Sequence, residues 1–165
     1  YYTIRYDFRS ARNMMAVTPS RDITRFNFLQ SETGAVYHGI AQSLGISDSV
    51  MTVLYALCET GGACTLREIV RRSGIPKQTL HSALRSLIAD GYLTLEAETA
   101  KHKTVRLTDA GQEFAARTAG RVIRAENEIF ASWPQSEIDA YLALSEKYLR
   151  ALEQKAKELH NDSTL

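Results

Sequence analysis

The chain has 165 residues, 44% of them hydrophobic and 24% charged, with a formal net charge of +1. This is the composition of an ordinary globular protein, long enough for one domain or for one domain with an appended element. No apolar run approaches the ~20 residues of a membrane span and no signal-peptide pattern is present, so we expect a cytoplasmic protein that does not bind membranes.

Residues 1–25 form the least regular part of the sequence. Aromatic and aliphatic residues alternate with polar ones over residues 2–8, which is the period of a β-strand, and polar residues with Pro19 follow. The pattern fits either an arm that packs on the body or on a partner, or a disordered tail. We treat residues 1–25 as an N-terminal arm that is partly ordered.

Two helices are predicted next. Apolar residues at helical spacing predict the first over residues 26–45, although Gly34 and Gly39 weigh against an unbroken helix. Ser47 is a good N-cap for the second, and Asp48 supplies an acidic first turn. Because this second helix is apolar around much of its circumference, we expect it to be buried on several sides.

A helix-turn-helix is predicted from residue 65 onward. Thr65 and Glu68 form a capping box at the start of its first helix. Gly74 suits a left-handed turn, and Pro76 fits the first turn of the following helix, where its missing N–H costs nothing. The second helix carries one apolar stripe, which consists of Leu80, Leu84, Leu87 and Ile88.

A β-hairpin is predicted directly after this second helix. Two alternating runs, residues 92–96 and 103–107, are separated by a short polar loop. The apolar face that we expect to pack on the helices consists of Leu93, Leu95, Val105 and Leu107. Residues 46–108 therefore have the pattern of a winged helix-turn-helix.

The helical period returns in the last third of the chain. It predicts one long helix over about 109–131, a break before Pro134, and a last helix over about 135–160. This last helix is amphipathic with an approximate heptad seam, so it needs a partner surface on the same chain or on a second subunit. The predicted fold class is mainly α with a small β-hairpin wing.

The basic residues are concentrated in the predicted winged helix. Residues 65–108 hold eight basic and four acidic side chains, a balance of +4, which leaves −3 for the rest of the chain. In a helix-turn-helix the second helix enters the major groove of DNA. With the apolar stripe turned inward, its outward face presents Lys77, Gln78, Thr79, His81, Ser82 and Arg85.

These side chains suit DNA, because Gln pairs with adenine, Lys and Arg pair with guanine, and Ser and Thr donate to phosphate. Cations at a wing tip can also enter the minor groove, although a charged hairpin is common without any ligand. The wing candidates are Lys101, His102, Lys103 and Arg106.

The sequence offers little for catalysis or for metal binding. It has no nucleophile elbow, zinc-protease motif or Gly-rich phosphate loop, and its four histidines are scattered, so we expect no enzyme, no metal and no cofactor. Cys58 fits an inert core position. Cys64 precedes a predicted helix N-terminus, a location that can lower the pKa of a thiol.

The order of these elements resembles the MarR family. The resemblance covers about residues 27–160, and its most specific pieces are SLIADGYLTLE at the end of the second helix and VRLTDAGQEF at the exit of the wing. It implies a homodimeric transcription regulator, typically a repressor, in which residues 26–45 and 109–160 form the dimer and two recognition helices contact a pseudo-palindromic duplex. Its base-contacting positions fall on Lys77, Gln78, His81, Ser82 and Arg85.

The resemblance also implies release from DNA by a small aromatic effector. The candidate lining residues are Tyr37, His38, Tyr55 and Trp133, and core packing is the alternative for each. The loop ETAKHK lacks the Asp-x-Arg pair usual at the family's wing tip, so the recognition helix should carry more of the specificity. The modest net charge and short wing leave a second hypothesis open: a winged-helix protein-interaction or scaffold module without specific DNA binding.

Overall fold

The computed structural model describes residues 17–97 and 103–162. The strand-like pattern of residues 2–8 and the wing-tip candidates Lys101 and His102 lie outside the described residues. No single helix in the described ranges has the length and apolarity to cross a membrane, and the first two helices satisfy that test only when they are counted as one segment.

The chain divides into two compact units at Gly45, and α1 (Arg21–Ser43) belongs to the first. Its N-cap is Ser20, whose Oγ accepts a hydrogen bond from the backbone N–H of Ile23 at 3.2 Å. Because Ser20 caps it, the helix begins at Arg21, five residues before the expected boundary at residue 26. Residues 21–25 are helical and do not belong to an arm.

Gly34 and Gly39 lie inside α1 and do not interrupt it. A Cβ at either position would meet no atom within 4 Å, so neither glycine serves a close packing contact. The large apolar side chains of α1 are mostly exposed; they include Phe28, Leu29, Val36 and Tyr37.

The second unit holds the remaining elements: α2 (Asp48–Glu59), β1 (Ala63–Thr65), α3 (Leu66–Ser73), α4 (Lys77–Ala89), β2 (Leu93–Ala97), β3 (Lys103–Leu107), α5 (Asp109–Arg117), α6 (Ala119–Ala131) and α7 (Gln135–Asp162). The strands form an antiparallel sheet in the order β1-β3-β2. This mainly helical fold with a small sheet confirms the predicted class. Strand β1 was not predicted, because three residues are too few to show a period.

The core of the second unit joins α2, α3, α4 and the sheet. Its fully buried large side chains are Val53, Leu54, Leu57, Ile69, Leu80, Leu87 and Val105. The predicted stripe of α4 is wrong at one end: Ile88 is 37% exposed, and Ala83 is buried instead. Leu95 was also expected in the core and is 44% exposed, although its partner Val105 on the central strand β3 is buried.

The long helix expected over residues 109–131 is two helices, α5 and α6, which meet at Thr118. The Thr118 side chain is buried, and its Oγ1 donates to the carbonyl oxygen of Phe114 at 2.7 Å. The backbone there (φ −116°, ψ −97°) leaves the helical region, and Gly120 follows with low helix propensity. The predicted break before Pro134 is confirmed, since α6 ends at Ala131 and α7 begins at Gln135.

Candidate nucleic-acid interface

The turn between α3 and α4 has the predicted geometry. Thr65 Oγ1 accepts a hydrogen bond from the backbone N–H of Glu68 at 3.2 Å, which caps α3. Gly74 ends α3 in the left-handed conformation (φ +65°), a region that costs other residues free energy. After Pro76, α4 begins at Lys77, so the two helices form the expected helix-turn-helix.

The carboxylate of Glu68 does not close the predicted capping box. Its Oε1 instead lies 2.9 Å from Nη2 of Arg72, whose Nη1 lies 3.3 Å from Oε2 of Glu59 at the end of α2. The hydrogen bond from Arg72 lowers the pKa of Glu68, and the same bond raises the pKa of Arg72. Arg72 is therefore engaged with its own chain's acids, which ties α3 to α2.

The outward face of α4 is exposed, as the apolar stripe predicts. Each of its six candidate side chains reaches solvent: Lys77, Gln78, Thr79, His81, Ser82 and Arg85. No acidic residue occurs within the helix, and Pro76 provides no capping side chain. The first-turn N–H groups of α4 therefore have no acceptor within the helix, and its positive end is open to an anion.

Two surface clefts flank α4 and differ in chemistry. The first, which we call the hydroxyl cleft, has a volume of about 470 Å³, lies against the start of α2, and is lined by the polar residues Ser47, Ser49, Gln78, Thr79, Ser82 and Ser86 with Val50 and Ala83. The second, which we call the basic groove, has a volume of about 450 Å³, lies against α3, and is lined by Leu66, Arg67, Val70, Lys77, Leu80 and His81. No acidic residue lines either cleft.

The two basic residues of the wing that the structure describes, Lys103 and Arg106, have different surroundings. Lys103 is the exposed first residue of β3. Arg106 is also exposed, but its Nε lies 3.3 Å from Oε1 of Glu96 on the neighbouring strand. An acidic side chain of the same wing therefore partly neutralises this candidate DNA contact.

The winged-helix part of the chain matches a known family. Residues 44–103 match the model of the MarR family. The resemblance to the MarR family is confirmed. No curated protein matches the chain in sequence.

Several solved structures share the fold over most of the chain. The MarR family regulator NMB1585 from Neisseria meningitidis superposes with a TM-score of 0.75 at 17% identity, covering 84% of this chain and 99% of that one. BpsR from Bordetella bronchiseptica superposes with a TM-score of 0.57 at 20% identity, covering 75% of this chain and 98% of that one. The PcaV regulator from Streptomyces coelicolor superposes with a TM-score of 0.60 at 18% identity, covering 82% of this chain and 99% of that one.

The four candidate effector residues have different surroundings. Tyr37 and His38 lie on α1 in the first unit. In the second unit, the hydroxyl of half-buried Tyr55 donates to the carboxylate of Glu126, which links α2 to α6. Trp133 packs on two other aromatic rings, with centroids 5.5 Å from Phe130 and 5.8 Å from Tyr141. Their joint role in a ligand pocket stays a prediction.

Neither cysteine has the lowered thiol pKa that is typical of a redox-sensing cysteine. Cys64 lies in β1 and is only 5% exposed, because this strand pairs with β3. Burial raises the pKa of its thiol and also that of Cys58, so the nearby helix N-terminus does not lower the pKa of Cys64. Within the described ranges, no group of three or more His, Cys, Asp or Glu residues is placed to hold a metal ion.

Proposed function

We propose that the chain is a sequence-specific DNA-binding transcription regulator whose α4 contacts the bases. The observation that carries this proposal is the outward face of α4. It presents two cations, Lys77 and Arg85, together with hydrogen-bonding polar residues and no acid, on the second helix of a winged helix-turn-helix.

The dimensions of α4 suit the major groove. An α-helix with its side chains is about 10–12 Å across, which matches a groove about 12 Å wide, and the thirteen residues of α4 extend for about 20 Å along it. We propose that Gln78 pairs with adenine near the N-terminus of the helix and that Arg85 pairs with guanine about two turns later. Lys77 stands at the open positive end of α4, where a phosphate would be attracted.

We further propose that the regulator acts as a homodimeric repressor. The large apolar side chains of α7 that are exposed are Tyr141, Leu142, Leu144, Tyr148, Leu149, Leu152 and Leu159. A second copy would cover these side chains and would bring two α4 helices to successive major grooves, about 34 Å apart. The DNA site would then be a pseudo-palindrome, and occupation of a promoter would block transcription.

We propose that a small aromatic molecule releases the protein from DNA. BpsR has its DNA binding regulated by 6-hydroxynicotinic acid, and PcaV was solved in complex with its natural ligand. An effector of this class would favour a dimer with a different spacing of the α4 helices and so shift the population away from DNA. Tyr37, His38, Tyr55 and Trp133 are the residues that we propose for its pocket.

The test begins with selection of duplexes by the full chain from a random-sequence library, followed by fluorescence anisotropy on the selected duplex. The double variant Lys77→Ala, Arg85→Ala should lose specific binding. The matched control, Lys147→Ala with Lys157→Ala on α7, removes the same charge and should retain it. Equal binding by all three proteins would overturn the proposal. Weak binding that ignores sequence and disappears at moderate salt would favour a protein-interaction module.

A further inference from the structure

We infer that the hydroxyl cleft is a binding site for a phosphate of the DNA backbone. This inference rests on the proposed function, because it adds one contact to the same protein–DNA complex. It concerns the junction of α2 and α4. Because no basic side chain lines this junction, the distribution of charge along the sequence does not indicate it.

The position of the cleft follows from the base-contacting face. Gln78, Thr79 and Ser82 belong to that face, and all three also line the cleft. A helix inserted in the major groove has a sugar–phosphate strand on each side, since the groove is only about 12 Å wide. The elements packed beside α4 therefore meet the two strands. The start of α2 lies on one side and α3 on the other.

The chemistry of the cleft suits a phosphate oxygen. Five hydroxyl groups and one amide line it, and no lining residue is charged. Ser47 Oγ accepts from the backbone N–H of Val50 at 3.3 Å and lies 3.1 Å from Ser49 Oγ, so the first turn of α2 is already capped. The available donors to a phosphate are the side-chain hydroxyls, which commonly bind DNA phosphates, whereas the Gln78 amide is assigned to a base.

The two sides of α4 should then act differently on DNA. Arg67, Lys77 and His81 line the basic groove, and cations that neutralise phosphates release counterions, which makes binding fall with salt. Neutral hydroxyls hold a phosphate without this release. The hydroxyl cleft should therefore fix the position of α4 in the groove, and it should contribute affinity with little dependence on salt or on base sequence.

Three variants at Ser49 test the site. This residue is the second of α2, where an added acid stabilises the helix and an added base mildly destabilises it. Ser49→Asp should therefore fold at least as well as the wild type, yet bind DNA about tenfold or more weakly, because its carboxylate would face the phosphate. Ser49→Lys should bind more tightly, with a salt dependence steeper by about one counterion.

The hydroxyl itself is tested by Ser49→Ala combined with Ser86→Ala. We expect a loss of about three- to tenfold on the selected duplex and on a scrambled duplex alike, with an unchanged salt slope. Ser136 provides the matched control, since it is the second residue of α7. Ser136→Asp, Ser136→Lys and Ser136→Ala should leave binding unchanged.

The outcomes separate this inference from the proposed function. If the chain selects no duplex, both are overturned. If Lys77→Ala with Arg85→Ala abolishes specific binding while the Ser49 variants bind as the wild type does, the proposed function stands and the phosphate site is wrong. Equal effects at Ser49 and Ser136 would also overturn the site, because they would reflect the overall charge of the protein.

Discussion

Arg106 on β3 and Glu96 on β2 form an ion pair across the wing hairpin, with Nε 3.3 Å from Oε1. Arg106 lies directly opposite Thr94 and Glu96 opposite Thr104, so the pair is a diagonal one on a single face of the sheet. Both side chains are about half exposed, and such pairs contribute about 0–1 kcal/mol to folding. The pair therefore affects the charge that the wing offers to DNA more than the stability of the fold.

Glu96→Gln should strengthen DNA binding. The substitution removes a carboxylate from the wing and frees Arg106 for a phosphate, so we expect a severalfold gain in affinity and a steeper salt dependence. Arg106→Ala should have a smaller effect, since its charge is already partly neutralised. Fluorescence anisotropy at several salt concentrations measures both. Weaker binding by Glu96→Gln would contradict this account and would indicate that Glu96 holds Arg106 in position for DNA.

Gly111→Ala should destabilise the protein although Gly111 lies in a helix, where alanine is normally preferred. A Cβ there would clash with the carbonyl oxygen of Tyr92, which is backbone and cannot rotate away. We expect a loss of at least about 1–3 kcal/mol in the free energy of unfolding, measured by urea denaturation. Gly34→Ala is the control: it enters open space within α1 and should be neutral or stabilise by up to ~1 kcal/mol. A stabilised Gly111→Ala variant would show that α5 does not approach Tyr92 this closely.

The ion pair of Glu68 with Arg72 should make stability depend on pH in acid. Arg72 holds the pKa of Glu68 below its ordinary value of 4.5. A carboxyl whose pKa is lowered by folding stabilises the folded state at pH values above its ordinary pKa. This stabilisation is lost as the pH falls through the pKa that the carboxyl has in the folded state. The melting temperature of wild type should therefore exceed that of Glu68→Gln at neutral pH, and the difference should shrink below pH 4.5. A difference that stays constant into strong acid would argue against the pair.

The two thiols should react slowly in the folded protein. Burial raises the pKa of Cys58 and of Cys64, and thiolate is the reactive form. Ellman's reagent should label both far more slowly in the folded chain than in urea, and mild peroxide treatment should leave DNA binding unchanged. Rapid labelling of Cys64 without denaturant would contradict its place in the sheet.

The sequence was most informative where local chemistry decides the structure. Ser47, Thr65, Gly74 and Pro134 mark helix boundaries through caps, a left-handed turn and a ring that excludes helix, and the boundaries that they predict agree with the structure. Ser20 is a cap of the same kind and was overlooked, so the predicted start of α1 was late.

The two strings that carry the family resemblance contact each other in the fold. Thr108 Oγ1 donates to the carbonyl oxygen of Gly91 at 2.7 Å, and the Thr108 N–H donates to the carbonyl of Tyr92 at 3.1 Å. Gly111 lies beside the same carbonyl of Tyr92, where a side chain would clash with it. Local patterns could not show this, since each string has an ordinary period by itself and the constraint appears only when they meet.

Features that depend on tertiary contacts were missed. β1 is too short to show a period and exists because Ala63, Cys64 and Thr65 pair with β3. The break at Thr118 depends on a buried hydroxyl that bonds to the preceding turn. The hydroxyl cleft combines Ser47 and Ser49 with residues about thirty positions later, a distance at which neither charge nor spacing gives a signal.

The most direct measurement of the central claim compares wild type with Arg85→Ala on the selected duplex and on every single-base variant of it. If α4 contacts bases, Arg85→Ala should lose discrimination at one position of each half-site by about 1–3 kcal/mol and keep its preferences elsewhere. A loss of affinity that is equal for all sequences, or no loss at all, would contradict the claim that this face of α4 determines the DNA sequence that the protein binds.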